Sequence, residues 1–566
     1  MLRVPGFSED AGFHRESQDG KDVHVKKEHK TEESLEDRSP VTQEEKNKRL
    51  KGRPDLGKGP VNMVEVKFIE DEPKYPPYVL VEDTLGHDAY HDPEDHQPTV
   101  KTERLSALLH CSALLPSQRK SAVVLLHKKE SRAEPGNYRP IALVQVDVKV
   151  LSKALTYRLQ HVIPDLVHPD QKGFVKGRSI HHHIRFLADL QDLVTSQEEE
   201  AYALFLDFEK AFDRVNWDYM FRLLEKMGFD KQFTQWIRLL YTNPQARLVI
   251  NQNIQPALCP TRGVKQGDPL SALLFIFTIE PLGNMLRSHE EYGVCINADH
   301  TATSTFFADD STLLSNSIAH LQAQLVVVAK YCDGSGAKLN LSKSKLLALN
   351  RNHDCPLLPG VYVLGRVETV KYLGIPFGQS SVDHALVDSL EKRFYDGFKL
   401  WHRRARTLRG RLLVAQTMIL SRLWHYTQHV SIPGTIVKRW QSMLNKFVLC
   451  RKHDRHESHV QLIPTDFLYQ RRGDGGLGVP SLAAHLKRQR LQFLLQFISA
   501  ATTTHIRNWT TASSELLKLL LPCKCLGLPL HLSVAPWETN PMVAGFCMVE
   551  SDVDIMVQDP VDIHMA

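Results

Sequence analysis

The order of apolar and polar positions along the chain predicts a mixture of strands and helices. Short apolar runs bounded by turn residues predict buried strands at 122–126 and 202–206, and a strand–turn–strand hairpin at 305–314. Apolar residues at helical spacing predict amphipathic helices around 150–159, 220–227 and 318–328. Residues 270–279 are apolar on nearly every side, which is typical of a buried helix.

Capping residues indicate where some of these helices begin and end. Asp218 is expected to cap the helix at 220–227, and Gly228 is expected to end it. Asp268 fits the N-cap of the buried helix, with Pro269 in its first turn. Ser317 is expected to begin the helix at 318–328.

Residues 1–60 follow none of these patterns, because they are mostly polar and mix acids with bases. Such a segment buries too little apolar surface to offset the entropy of ordering, so we predict that it is disordered. A basic cluster at 46–53 is compatible with nuclear localisation, although a solvated run of charges explains it more simply. The tail from Pro536 is acidic and irregular, and it predicts no function.

The composition of the chain indicates in which part of the cell the protein is expected. The chain has 566 residues, 42% of them hydrophobic, and a net charge of +5, which permits several domains and a polyanionic partner. Nine cysteines spread over this length favour a reducing compartment over a disulfide framework. No apolar leader opens the chain, and its longest apolar run, near 272–279, is far shorter than the ~20 residues of a membrane span. We therefore expect an intracellular protein without a membrane partner, in the nucleus rather than the cytoplasm.

Two adjacent acids, Asp309 and Asp310, occupy the predicted turn of the 305–314 hairpin. Neighbouring carboxylates repel each other, and a shared proton or a bound cation relieves that repulsion. Taken alone, an ordinary hairpin with a solvated acidic turn explains this stretch equally well. A third acid, Asp207, follows the apolar run 202–206 and lies 102 residues before Asp309, which favours a site that uses all three carboxylates.

Cationic residues lie near the ends of other predicted elements. Lys128 and Lys129 follow the strand at 122–126, and Arg139 lies in the next turn. This arrangement suits phosphate binding, because ammonium and guanidinium groups pair with phosphate oxygens. Glycine-flanked basic loops recur at 173–178, which includes Arg178, and at 262–269.

Three consecutive histidines, His181, His182 and His183, invite a zinc hypothesis. Consecutive side chains on a helix diverge in direction, and no cysteine or acid lies at a ligand spacing. Exposure at the surface or contact with nucleic acid is therefore favoured over metal binding.

Beyond residue 390 the pattern is helical and basic. Between residues 391 and 411 only two acids accompany the cations Lys392, Arg393, Lys399, Arg403, Arg404, Arg406, Arg409 and Arg411. Aromatic residues lie between these cations, as in surfaces that follow a nucleic-acid backbone. A helical bundle with a solvated basic face is the alternative.

A series of short motifs connects these segments. It consists of Tyr-Arg-Pro-Ile at 138–141, Gln171 with Gly-Phe-Val-Lys-Gly-Arg at 173–178, Asp-Phe-Glu-Lys-Ala-Phe-Asp at 207–213, Gln-Gly-Asp-Pro-Leu-Ser at 266–271, Phe-Ala-Asp-Asp at 307–310, Lys-Leu-Asn at 338–340 with Lys-Ser at 343–344, Tyr-Leu-Gly at 372–374, Leu-Arg-Gly-Arg at 408–411 and Gly-Gly-Leu-Gly at 475–478. Each motif is weak by itself, whereas the ordered series is specific. From about residue 121 to 497 the chain resembles the reverse transcriptase of non-LTR (LINE-type) retrotransposons.

The resemblance implies an α+β fold of the right-hand polymerase type. Fingers are expected at 118–200, a palm with an antiparallel sheet at 201–380, and a helical basic thumb at 381–500. Residues 1–117 would then form a largely disordered or irregular extension. No role is predicted for residues 501–566.

The resemblance also implies extension of a DNA primer on an RNA template from dNTPs. Two Mg²⁺ ions, with Mn²⁺ as a possible substitute, would stabilise the attacking and leaving oxygens. Their expected ligands are Asp207, Asp309, Asp310 and the Phe208 carbonyl, while Lys343 would protonate the pyrophosphate. The nucleotide would contact Arg139, Lys128, Lys129, Phe212, Gln266 and Gly267. Nucleic acid would contact Arg178, Arg403, Arg404, Arg406, Arg409 and Arg411.

Departures from the family pattern leave other functions open. No endonuclease-like segment, zinc knuckle or Pro-Gly-x-Asp-Gly run precedes the fingers. An inactive or domesticated nucleic-acid-binding relic therefore remains an alternative to an active polymerase. An RNA-templated RNA polymerase or an intron maturase fits the three acids but matches the thumb motifs less well.

Overall fold

The computed structural model describes residues 114–128, 131–380, 383–454, 456–458, 462–502 and 509–525. The predicted disordered segment 1–60, the basic cluster 46–53, Lys129 and the tail from Pro536 lie outside these residues. Within them, helices pack against sheets whose strand pairs are mostly antiparallel, so the predicted α+β class is confirmed.

The strands are short and lie mainly between residues 120 and 378. They are β1 (Lys120–His127), β2 (Tyr138–Val144), β3 (Tyr202–Leu206), β4 (Gln245–Ile250), β5 (Asn253–Ile254), β6 (Val294–Asn297), β7 (His300–Ala302), β8 (Ser304–Phe307), β9 (Asp310–Ser315), β10 (Lys345–Ala348), β11 (Tyr362–Val363), β12 (Thr369–Tyr372) and β13 (Ile375–Gly378).

Helices separate the strands in the first part and dominate the second part. They are α1 (Val146–Leu166), α2 (Ile180–Ser196), α3 (Ala211–Arg214), α4 (Trp217–Lys226), α5 (Lys231–Tyr241), α6 (Pro269–Arg287), α7 (Ile318–Ser335), α8 (Asp383–Trp401), α9 (Leu408–Val414), α10 (Ser421–Thr427), α11 (Gly434–Cys450), α12 (Thr465–Tyr469), α13 (Leu482–Thr502) and α14 (Trp509–Cys525). A π-helical segment, Ala415–Leu420, joins α9 to α10.

The central sheet has the strand order β11-β10-β3-β9-β8. β3 pairs antiparallel with β9 and β10, and β8 and β9 form the predicted hairpin. Alternate side chains of β3 enter two different hydrophobic cores: Leu204 and Leu206 pack in one, and Ala203 packs in the other. Because both faces of β3 are covered, its sequence is apolar at every position.

A second sheet, of order β2-β1-β4-β5, carries the cationic segment that follows β1. β1 pairs antiparallel with β2 and parallel with β4. The register places Leu126 opposite Arg139, near the ends of the two strands. Two-stranded sheets are formed by β6 with β7 and by β12 with β13.

Helix α6 is the core helix that the sequence predicts. Asp268 occupies its N-cap position and Pro269 its first turn, although the Asp268 side chain makes no capping hydrogen bond. α6 is long and apolar enough to cross a membrane by length and composition, but 72% of that window is buried inside the fold. Glu280 on this helix is buried and pairs with Arg287 at 2.6 Å.

The region after residue 383 has a hydrophobic core of its own. Phe394 and Phe398 of α8 pack with Trp440 and Phe447 of α11, and Phe394 stacks on Trp440 with ring centroids 5.1 Å apart. The predicted helical character is therefore confirmed for α8. The cations at 402–407, however, lie in the connection between α8 and α9 and not on a helix.

Two local predictions were wrong. The N-cap of α4 is Asn216, whose side-chain oxygen accepts from the backbone amides of Asp218 and Tyr219, so Asp218 lies inside the first turn. The histidine run is not a surface feature: His182 stacks on Trp509 of α14 with centroids 4.5 Å apart, and His183 is 3% exposed. Docking of α14 on α2 covers this part of α2 and gives residues 509–525 a structural role.

Candidate active site

The register of the central sheet brings the three predicted carboxylates to one end. β3 and β9 are aligned so that Leu206 lies opposite Ser311, which places Asp207 next to Asp310 across the sheet. In the β8–β9 hairpin, Phe307 lies opposite Asp310, and Ala308 and Asp309 form the turn. Asp207 and Asp310 are therefore neighbours although they are far apart in sequence, because β9 pairs antiparallel with both β3 and β8.

The carboxylates influence one another electrostatically. Burial, together with the negative charges of Asp309 and Asp207, raises the pKa of Asp310 to about 6. Burial also raises the pKa of Asp309; the charge of Asp207 adds to this shift and the Arg139 guanidinium opposes it. The site thus concentrates negative charge that a bound cation would relieve, as the sequence predicts.

The turn that carries Asp309 has a constrained backbone. Ala308 has a φ of 56°, in the left-handed region that residues with a Cβ seldom adopt. Its amide donates to Oε1 of Gln171 at 2.9 Å, and the same oxygen accepts from the Gly173 amide at 2.9 Å. A Cβ on Gly173 would lie 2.6 Å from the Ala308 nitrogen, so only glycine fits there.

Asp207 is held by the loop between α7 and β10. Its amide donates to Oγ of Ser344 at 3.2 Å, and its carbonyl accepts from the Asn340 amide at 2.8 Å. Neither bond uses the Phe208 carbonyl, the predicted backbone ligand. Lys343 is exposed beside Ser344, so its ammonium group lies on the chain segment that contacts Asp207.

The predicted nucleotide-binding residues fall on adjoining segments. Phe212 and Gly263 lie side by side, since Val264 donates its amide to the Phe212 carbonyl at 2.8 Å and a Cβ on Gly263 would clash with Asp213. The Gln266 side chain donates to Asp213 Oδ1 at 3.4 Å.

The same loop reaches the sheet that carries Arg139. The Gln266 carbonyl accepts from the Ala142 amide at 2.7 Å, and Gly267, with a φ of 106°, lies so close to Ala142 that a Cβ would be 2.9 Å from its oxygen. Arg139 and Lys128 are exposed on this sheet. The structure therefore groups five of the six predicted nucleotide residues, and the sixth, Lys129, is outside the described part.

Two of the predicted nucleic-acid contacts, Arg178 and Arg411, donate hydrogen bonds to backbone carbonyls. The Arg178 guanidinium donates to the carbonyls of Pro164, Val167, His168 and Gln171 at 2.7–3.0 Å. Arg411 is 9% exposed and donates to the carbonyls of Arg406, Val448 and Leu449. A guanidinium can satisfy several backbone carbonyls at once, and a motif does not show this. Contact of these two arginines with nucleic acid stays a prediction. Arg403, Arg404, Arg406 and Arg409 are exposed, as a phosphate-binding surface requires.

A metal ion would need oxygen ligands here. Among the described residues, no group of three or more His, Cys, Asp or Glu side chains is arranged to hold a metal ion by itself. Mg²⁺ commonly binds through one or two carboxylates plus substrate phosphates and water, so an open set of carboxylates that includes Asp309 and Asp310, whose pKa values are raised, fits that ion. The donor set therefore suits a divalent cation that takes its remaining ligands from phosphate oxygens and water.

Gln171 and Ser344 are site residues to which the sequence assigns no role. Both belong to the series of short motifs that carries the resemblance. A single neutral polar residue in a loop, however, does not indicate which group it will bind by hydrogen bonding. Gln171 is 1% exposed and Ser344 is fully buried. These two residues are identified by the burial of a polar side chain beside the acidic turn. That burial is visible only in the folded structure and not in the sequence.

Comparisons with known proteins agree with this geometry. A family model described as reverse transcriptase (RNA-dependent DNA polymerase) matches residues 126–377. The chain is 28% identical over 410 residues to an uncharacterized 149 kDa protein of the TX1 transposon from Xenopus laevis, covering 70% of this chain and 30% of that protein. It is 26% identical over 384 residues to a retrovirus-related Pol polyprotein of the R2 retrotransposable element from Popillia japonica, covering 64% and 51%.

The chain therefore spans 30% and 51% of the length of these two curated relatives. A solved telomerase from Candida tropicalis in complex with a fragment of telomeric RNA overlaps 74% of this chain and 67% of its own, with 10% identity and a TM-score of 0.35. That structural likeness is too weak to support an inference.

Proposed function

We propose that this chain, in which residues 126–377 form a reverse transcriptase domain homologous to those of non-LTR retrotransposon proteins, is an RNA-directed DNA polymerase that extends a primer 3′-hydroxyl with dNTPs. The observation that carries the proposal is the meeting of Asp207, Asp309 and Asp310 at one end of the central sheet. All three lie inside the matched domain. Reverse transcriptases generally use divalent metals.

The three carboxylates would hold the metal ions with substrate phosphates, and the Phe208 carbonyl is a further proposed ligand. Two divalent ions, Mg²⁺ or Mn²⁺, would supply charge stabilisation at the attacking and leaving oxygens. The chain's own part is to hold the carboxylates in place, while the bound cations would favour their ionised form. Because the pKa of Asp310 is raised to about 6, this carboxylate is mostly ionised only above that pH unless a cation is bound.

The surrounding cations and the aromatic ring would position the nucleotide. Arg139, whose charge acts on Asp309, is proposed to bind the triphosphate with Lys128. Phe212 would occupy the space of a 2′-hydroxyl, and Gln266 and Gly267 would line the pocket. Lys343 is proposed to protonate the pyrophosphate as it leaves.

Template and primer would bind along the exposed cations of the α8–α9 connection. From residue 397 to residue 453 the sequence contains no Asp or Glu, while Lys and Arg recur throughout. A polyanion is attracted to such a segment by counterion release, independently of base sequence. A nuclear location remains a prediction from the sequence.

Primer extension by the purified chain tests the proposal. On an RNA template with an annealed DNA primer, we expect Mg²⁺-dependent incorporation of dNTPs and little incorporation of rNTPs. Preferred use of rNTPs would instead indicate an RNA polymerase. Tight binding of the primer–template without extension would indicate the nucleic-acid-binding relic.

A further inference from the structure

A loop outside the β8–β9 hairpin supports its acidic turn. The support loop, defined here as residues 167–178, lies against β8: the Phe306 amide donates to the Asp170 carbonyl at 3.1 Å, and the Lys172 amide donates to the Phe306 carbonyl at 2.9 Å. Gln171 and Phe306 form an isolated parallel bridge. The loop therefore continues the sheet for one residue, directly beside the turn.

Gln171 connects this loop to the turn itself. Its Oε1 accepts from the Ala308 amide at 2.9 Å, and its own carbonyl accepts from the Arg178 guanidinium at 2.8 Å. Its Nε2 has no hydrogen-bond partner in the part of the chain that the structure describes. Gln171 is 1% exposed, and its side chain makes hydrogen bonds to the described residues only through Oε1. The bond from the Ala308 amide to this oxygen is therefore the contribution of the Gln171 side chain to the hairpin.

The support loop is itself rigidly held. Arg178 donates to four of its neighbouring carbonyls, and Asp170 pairs with Arg287 at 3.3 Å and with His168 at 2.9 Å. His183 shares the Phe306 carbonyl, which it contacts at 3.0 Å. Oε1 of Gln171 is therefore a fixed acceptor, against which the turn is ordered.

We propose that Gln171 is a positioning residue that sets the left-handed conformation of Ala308 and so directs Asp309 and Asp310 toward Asp207. The inference rests on the proposed polymerase function. Without the acceptor, the buried Ala308 amide loses its partner, and the alanine is free to leave a backbone region that L-residues seldom adopt. The carboxylates would then diverge, while the surfaces that bind primer and template remain unchanged.

The experiment compares Gln171→Met with Gln324→Met. Both glutamines are buried, and methionine has a similar volume but no amide group. Gln324 is a matched control because its Nε2 donates to the carbonyls of Thr303 and Leu314, at the opposite end of the same hairpin. Both changes remove hydrogen bonds to the hairpin, but only the first affects the turn.

We expect Gln171→Met to lower single-turnover kcat on the order of 10²-fold, with KM for primer–template unchanged, because small displacements of reacting groups have effects of that size. Gln324→Met should keep kcat within about threefold of wild type even if it melts at the same temperature as Gln171→Met. Hydrogen exchange provides a readout that needs neither metal nor nucleotide. The Ala308 amide should exchange faster in Gln171→Met and at the wild-type rate in Gln324→Met.

A second change distinguishes positioning from general destabilisation. Glycine adopts the left-handed conformation readily, so Ala308→Gly should restore part of the kcat that Gln171→Met removes. A purely structural defect would not be corrected by a glycine in the turn. If Gln171→Met does not fold, Gln171→Asn keeps a polar amide but is one methylene too short to reach Ala308, and it should show the same reduction and the same rescue.

Wild-type kcat in the Gln171 variants, or equal reductions of kcat in the Gln171 and Gln324 variants, would overturn the inference. An unchanged exchange rate at Ala308 would do so as well. Failure of the wild-type chain to extend any primer would contradict the proposed function instead, while the exchange experiment would still report on the support of the turn.

Discussion

Phe212 stacks on Phe275 of α6, with ring centroids 4.4 Å apart and an angle of 14° between the ring planes. Phe275 is buried, whereas Phe212 is only partly buried. One face of the Phe212 ring therefore rests on the core. A ring held in this way is rigid enough to exclude a substituent from the proposed nucleotide pocket.

We predict that Phe212→Val raises ribonucleotide incorporation relative to deoxyribonucleotide incorporation. The smaller side chain opens the space proposed for the 2′-hydroxyl, and dNTP extension should fall only moderately. Discrimination is measured as the ratio of single-turnover kcat/KM for matched dNTP and rNTP pairs. A parallel fall of both values together with a melting temperature lower by several degrees would identify Phe212 as a core residue only.

The exposed cations of the α8–α9 connection provide a second prediction. Changing Arg403, Arg404 and Arg406 together to Ala should weaken primer–template binding by a similar factor for all sequences. The slope of log Kd against log salt should decrease in magnitude by about one unit for each phosphate that the variant no longer neutralises.

The control for this triple variant removes three exposed cations elsewhere. Arg222, Lys226 and Lys231 on α4 and α5 are exposed, and their replacement by Ala changes the net charge equally. If both triple variants change the salt slope by the same amount, the effect is one of net charge and the α8–α9 connection is a solvated surface.

We predict that a buried histidine, His183, makes the folded chain less stable in mild acid. Burial, aided by the positive charge of Lys172, lowers the pKa of His183 to about 3, and the neutral ring donates from Nε2 to the Phe306 carbonyl. In the unfolded chain this histidine binds a proton near pH 6.5, whereas the folded chain does not, so stability falls as pH decreases below 6.5. Between pH 6.5 and pH 5 the expected loss from this residue is about 2 kcal/mol.

Urea unfolding of wild type and His183→Gln at these two pH values measures that loss. The glutamine amide can still donate to Phe306 but does not titrate, so the variant should lose less stability in acid than wild type does. His161→Gln, at an exposed position, should keep the wild-type pH dependence. An identical acid response in His183→Gln would show that another group is responsible.

The sequence predicts those elements whose pattern is local. β3, the β8–β9 hairpin and α6 follow from apolar runs and capping residues, because burial on two faces or on all sides imposes an apolar sequence. The meeting of Asp207 with Asp310 depends on the shared partner strand β9. Sequence pattern indicates each strand but not this register, and the motif resemblance supplied the connection.

What the sequence predicts wrongly or leaves out has equally specific causes. The histidine run looked polar, but α14 packs on it through Trp509, a contact between residues more than three hundred positions apart. The bonds from Arg178 and Arg411 to backbone carbonyls are absent from the sequence predictions, because a motif does not show which carbonyls lie near a guanidinium group. The sequence assigns Gln171 no role because its partner, the Ala308 amide, becomes a neighbour only in the folded chain.

The most direct test of the account is the extension activity of Asp309→Asn compared with that of Asp299→Asn. Asp309 lies in the turn between β8 and β9, and Asp299 lies exposed in the corresponding turn between β6 and β7, so both changes remove one carboxylate from a hairpin turn. Extension of a DNA primer on an RNA template with Mg²⁺ and dNTPs is measured at equal protein concentration, with melting temperature as the check on folding. The account predicts that Asp309→Asn abolishes extension without unfolding the chain and that Asp299→Asn extends like wild type; wild-type extension by Asp309→Asn would contradict it.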